Sequence, residues 1–104
     1  DRDDIRLKDY IYSQTFYGIK PEQQLICCPI SVDKESEFLR KSIKNCGLRE
    51  KYRGTVIGIE RGNLPIINPD IDTILQEGDL IWVIGSKRMA DTMIKSDVLH
   101  DYYR

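Results

Sequence analysis

Six residues constrain this chain more than any others: Leu80 to Gly85, LIWVIG. Along a strand, successive side chains alternate between faces. Leu80, Trp82 and Ile84 therefore share one side, and Ile81 and Val83 the other. Both sides are apolar, so the strand has to be covered twice. Helices of the same domain are expected on one side. An apolar patch on the other side marks an interface. A second copy of the chain is expected there, with Ile81, Trp82 and Val83 at the contact.

The flanking sequence supplies the remaining elements. Leu25 to Val32 (LICCPISV) is a continuous apolar run and reads as a first strand, with Pro29 fitting an edge or a bulge. Within residues 33–53, Leu39, Ile43, Cys46 and Leu48 fall on one helical face, with Ser42 as a candidate N-cap and Gly54 as the stop. Thr55 to Arg61 (TVIGIER) predicts a second strand in which Ile57 and Ile59 point one way and Gly58 and Glu60 the other. Gly62-Asn63 is a hairpin turn pair that returns Leu64 to Ile67 as a third strand. Asn68-Pro69-Asp70 ends that strand. Glu77-Gly78-Asp79 turns into the fourth strand, the Asp79 side chain serving the turn backbone. Met89, Ala90, Met93 and Ile94 then keep helical spacing. The order β-α-β-β-β-α predicts a two-layer α+β domain, a four-stranded sheet with two helices.

Length and charge narrow the function. A chain of 104 residues suits one domain. Its 16 basic and 17 acidic residues leave a net charge of −1. That lacks the basic excess of a dedicated nucleic-acid binder, so no nucleic acid is expected as a partner. Cys27, Cys28 and Cys46 have no C-x-x-C spacing and one lone His100 beside them, so they read as reduced apolar fillers and no metal is expected. No glycine-rich phosphate loop is present. His100 has no nucleophile to serve, and Glu60, Asp70, Asp72 and Asp79 read as turn and surface groups. No enzyme can be assembled from these residues. Residue 1 is Asp, so the chain reads as a piece of a longer polypeptide. Residues 1–24 are expected to be a connector from an upstream part, 25–96 the domain, and 97–104 a polar tail.

The stretch EFLRKSIKNCGLREKYRGTVIGIERG, the pair Asn68-Pro69, and LQEGDLIWVIGS with its Leu75-x-x-Gly78-Asp79-x-Ile81-x-Val83-x-Gly85 spacing resemble the C-terminal RCK (TrkA-C) domain. The version here looks like the domains attached to bacterial cation/proton antiporters. Arg40 stands where many members carry a glycine. The resemblance implies a cytoplasmic regulatory domain of a potassium or sodium/proton antiporter, dimeric and tethered to a membrane transporter domain of the same polypeptide at the inner face of the plasma membrane. It implies no required cofactor. Some members bind cyclic di-adenosine monophosphate between two subunits, and by position Ile59, Arg61, Ile66 and Asn68 are the residues for such an adenine nucleotide. Arg61 has the planar fork that suits a phosphate; the other reading makes Ile59 and Ile66 core or dimer contacts and Arg61 a surface salt-bridge former. A ligand-free dimerisation module and the effector domain of a transcription regulator are the alternatives.

Overall fold

A computed structural model describes residues 20–99; most of the expected connector and of the expected tail lies outside the described residues. A short 3-10 turn at Pro21–Gln23 leads into β1 (Leu25–Ser31). After a long irregular stretch come α1 (Leu48–Tyr52), β2 (Thr55–Arg61), β3 (Leu64–Ile67), β4 (Leu80–Ser86) and α2 (Lys87–Lys95). The four strands form one antiparallel sheet in the order β1-β4-β2-β3. The strand that is apolar in both directions is thus an inner one, with neighbours on both sides. The α+β class and the element order are as expected.

One face of the sheet carries the core. Cys28 and Ile30 on β1 stand opposite Val83 and Ile81 on β4, and Ile59 on β2 stands opposite Ile81 from the other side. All five are buried. Helix α2 follows β4 without a loop, because the Ser86 Oγ accepts the Met89 N–H at 3.2 Å and caps it. It lays Met89, Ala90 and Met93 on the core. Two glycines admit it. A Cβ at Gly54 would stand 2.6 Å from Val83 Cγ1 and 2.8 Å from Met89 Sδ, and one at Gly85 would overlap Met89 Sδ.

The first helix differs from expectation. Residues 33–47 form a chain of turns, and only Leu48–Tyr52 is helical. The backbone is left-handed at Arg40 (φ 67°) and Gly47 (φ 90°), which a right-handed helix cannot contain. In place of helical bonds the segment bonds to residues 71–75. Arg40 N–H donates to the Leu75 carbonyl at 2.9 Å, Leu75 N–H to Lys41 at 2.9 Å, Ile43 N–H to Thr73 at 3.0 Å and Lys44 N–H to Ile71 at 2.9 Å. Ser42 caps only a turn, its Oγ accepting the Asn45 N–H at 3.1 Å. The apolar residues still turn inward, with Cys46 and Leu48 buried and Leu39 and Ile43 packed against them. The chain leaves α1 through Arg53 at φ 60°, one residue before Gly54.

The second difference is in β2. Val56 pairs with Val83 and Gly58 with Trp82, so Ile57 is an extra residue in a β-bulge. The bulge breaks the alternation. Ile59 enters the core, and Ile57 is left 41% exposed instead of joining it.

Candidate functional site

The β2–β3 hairpin and the turn into β4 meet through one arginine. Arg61 is the last residue of β2, and its side chain lies on the core side of the sheet, in phase with Ile59. The Gly62-Asn63 turn, with Gly62 at φ 62°, brings Leu64 opposite it. The guanidinium closes on Asp79 with two bonds of 2.9 Å, Nε to Oδ1 and Nη2 to Oδ2. Nη2 also donates to the Ile74 carbonyl at 2.9 Å. Asp79 Oδ2 accepts the Gln76 N–H at 2.8 Å, which makes the Gln76-Glu77-Gly78 corner, with Gly78 at φ 92°.

The electrostatics follow from that geometry. Asp79 is 1% exposed. Burial pushes its carboxyl up, but the Arg61 hydrogen bonds, the Gln76 N–H and the Arg61 charge together pull it further down, and it settles below the usual carboxylate range. The same bonds raise Arg61, which stays charged throughout. Two bonds in a fork–fork arrangement give direction as well as energy. Sequence reasoning assigned Asp79 to its local turn and left Arg61 between a ligand contact and a surface salt bridge, without naming its partner. The pairing across 18 residues left no local signal in the sequence.

The structure places the four residues expected to hold a ligand together on the β2–β3 hairpin and its end, but with different exposure. Ile59 is 1% exposed and belongs to the core. The fork of Arg61 is spent on Asp79 and Ile74, leaving Nη1 as the guanidinium nitrogen outside these bonds. Ile66, opposite Ile59, is half-buried and packs on the core. Asn68 is exposed, at φ 51°, its N–H donating to the Ile57 carbonyl at 2.9 Å. Two grooves of about 440 and 500 Å³ lie where β1 ends, both walled by Asp33 and Glu35; the second reaches Asp79, the partner of Arg61, and neither is lined by these four residues.

The expected dimer residues divide as well. Ile81 and Val83 are fully buried in the chain's own core, so they are not available to a partner. Trp82 is on the other face with Leu80 and Ile84, all three half-buried. Its indole Nε1 donates to Glu60 Oε2 at 2.6 Å, across the sheet. Near them stand the exposed side chains of Ile57 and Ile67. Among the described residues no cluster of His, Cys, Asp and Glu is placed to hold a metal, and no helix is long and apolar enough to cross a membrane.

The family model of the TrkA-C domain matches residues 30–96. Potassium channel protein 1 of Methanocaldococcus jannaschii is 32% identical over 60 residues, 58% of this chain and 18% of that protein. The uncharacterized transporter YfbS of Escherichia coli is 32% identical over 66 residues, 64% of this chain and 11% of that protein. Among solved structures, the RCK_C domain dimer of S. agalactiae BusR in complex with c-di-AMP is 26% identical with a TM-score of 0.58, covering 66% of this chain and 91% of that one. BusR in complex with its busAB promoter DNA is 25% identical, also at 0.58, covering 90% of this chain and 45% of that one. The chain spans less than a fifth of the length of the curated relatives it matches.

Proposed function

Because the chain belongs to the TrkA-C domain family, we propose that it is the regulatory domain of a cation channel or transporter, a potassium or sodium/proton antiporter in the specific form. It works as a homodimer at the cytoplasmic face of the membrane, joined to the membrane part through the residues before Lys20. Cyclic di-adenosine monophosphate or a related adenine nucleotide binds between the two copies and favours one arrangement of the pair. A ligand can shift such an equilibrium only by its difference in affinity for the two arrangements, typically about 1–3 kcal/mol. The relatives named for potassium channels and a transporter support the setting. The likeness to a c-di-AMP-bound RCK_C dimer carries the ligand reading.

In this reading the ligand meets the hairpin side. Ile66 and Asn68 contact the base and its polar edge, and Arg61 offers Nη1 while Asp79 holds the other edge of its fork. Ile59 supports the site from beneath. The likeness to BusR bound to promoter DNA favours one alternative, the effector half of a transcription regulator. The ligand-free dimerisation module is the other.

Titration calorimetry and thermal denaturation with cyclic di-adenosine monophosphate, AMP and ATP test the ligand. Saturable binding of the cyclic dinucleotide is expected, with a gain of about 2.7 kcal/mol in stability at a hundred times the Kd. No response to any of the three at millimolar concentration overturns the sensing role and leaves the ligand-free module. Membrane-spanning segments in the open reading frame upstream of residue 1 favour the transporter, and a DNA-binding motif there favours the regulator.

A further inference from the structure

An arginine carries five N–H groups in one plane, and two edges of that plane present them in pairs. Both edges of Arg61 are taken. The side edge, Nε with Nη2, closes on the Asp79 carboxylate through two bonds of 2.9 Å. The end edge, Nη2 with Nη1, has its Nη2 hydrogen on the Ile74 carbonyl at 2.9 Å. Three of the five hydrogens are engaged, and the two left sit on Nη1, where they diverge. An arginine grips a phosphate best through two parallel N–H···O bonds. Here no parallel pair remains.

Charge points the same way. The Arg61 cation is cancelled by a carboxylate that is 1% exposed and has no water to turn to. The loop of residues 70–77 beside them brings Asp70, Asp72 and Glu77, and the segment bonded to that loop brings Arg40, Lys41 and Lys44, all six exposed. These surroundings add no net charge. Leu64, opposite Arg61 in the register, and Ile74, whose carbonyl the arginine holds, are apolar and 64% and 48% exposed. What is offered to a ligand is one nitrogen donor in a neutral and partly apolar setting.

We propose that Asp79 determines the specificity of this site: by occupying the fork of Arg61 it admits a phosphodiester and turns away a terminal phosphate monoester. This rests on the nucleotide reading above and narrows its ligand class. A monoester carries about 1.5–2 negative charges at neutral pH, and its three free oxygens are matched to a fork. To take the fork it has to displace Asp79, whose carboxylate would keep only the Gln76 N–H. A diester carries one negative charge and meets Nη1 with one oxygen while Asp79 keeps its bonds. Asp79 is thus a positioning residue that acts through Arg61 without touching the ligand.

Calorimetry on the full chain at neutral pH compares cyclic AMP with AMP, which share base and sugar and differ as diester and monoester. Cyclic di-adenosine monophosphate is the larger diester of the set. In the wild type AMP is expected to bind at least tenfold more weakly than either diester. In Asp79→Asn the amide oxygen takes the Gln76 N–H and the fork is released. AMP is then expected to gain at least fivefold on cyclic AMP, and to come into range even where both mononucleotides are too weak to detect in the wild type. A merely structural loss would weaken all ligands alike. Thermal denaturation checks that the variant is folded, and the wild-type comparison stands without it. Equal wild-type affinities for AMP and cyclic AMP, or no gain of AMP on cyclic AMP in folded Asp79→Asn, overturn the specificity role and keep the ligand reading. A wild type that binds none of the three at millimolar concentration overturns the ligand reading, and this inference with it.

Discussion

Replacing Arg61 by Met keeps most of the apolar stem and removes three hydrogen bonds, two to Asp79 and one to the Ile74 carbonyl. Asp79 is then left 1% exposed with the Gln76 N–H as its remaining partner. Removing one partner of a buried pair costs about 3–5 kcal/mol, because the other charge stays buried. The reverse change, Asp79→Asn, is expected to cost less, about 1–2 kcal/mol. The Arg61 side chain is 30% exposed and can turn to water, and an Asn oxygen can still take the Gln76 N–H. Wild type and Arg61→Met also differ in sign with pH. In the wild type the folded pKa of Asp79 is depressed, so its contribution is complete above the unfolded value of about 4 and is lost as pH falls through the folded value. In Arg61→Met burial acts without the arginine and raises that pKa above the unfolded value. Stability then rises as pH falls from 7 toward 4, and the gap to wild type narrows. Urea denaturation at pH 7, 5.5 and 4 reads this directly. The paired change Arg61→Met with Asp79→Leu, which leaves no buried charge, is expected to recover most of the loss. A loss under about 1 kcal/mol in Arg61→Met at pH 7, or a gap constant across the series, refutes the reasoning.

Three further outcomes are expected. Gly54→Ala is expected to lose about 1–3 kcal/mol by thermal denaturation through overlap with Val83 and Met89, whereas Gly58→Ala, with only a carbonyl oxygen at 3.5 Å, is expected to stay within about 0.5 kcal/mol; equal losses would contradict the packing described. Ser86→Ala removes the cap of α2 and is expected to cost about 1 kcal/mol, while Ser86→Asp retains it. A thiol reagent at pH 8 is expected to modify exposed Cys27 well before Cys28, whose buried thiol is pushed up to about 11, first by burial and then by Cys27 beside it; equal rates would place Cys28 outside the core.

Period and turn chemistry made the sheet legible. The period-2 pattern of LIWVIG, the Gly62-Asn63 pair and the Gly78-Asp79 corner each have one cheap conformation, and all three appear where expected. The helical spacing of Leu39, Ile43, Cys46 and Leu48 was ambiguous in a way that no sequence pattern resolves. Those residues reach the core equally well from turns pinned to residues 71–75, and the left-handed Arg40 selects the turns. The bulge at Ile57 was hidden for a related reason. Alternation in TVIGIER is intact on paper, and only pairing with β4 shows that two residues of β2 oppose Trp82. The site was less legible than the fold. Arg61 carries a phosphate-compatible fork, but a type of side chain does not say which acid it meets.

That meeting changes what Arg61 can do. A free arginine would have to be ordered by a ligand, at a cost in side-chain entropy of up to about 2 kcal/mol. Arg61 is already ordered, its Nε and Nη2 fixed on a carboxylate that is itself fixed by the Gln76 corner. Because Nη2 also holds the Ile74 carbonyl, the arginine fastens the hairpin to the segment that bonds residues 40–44. Hairpin, corner and the turns over the core are therefore tied together through one guanidinium. Any group that drew Arg61 off Asp79 would leave a buried carboxylate unpaired, a penalty of several kcal/mol that exceeds a usual regulatory coupling. A ligand contact of the proposed kind, through Nη1, would avoid that penalty and leave the latch closed.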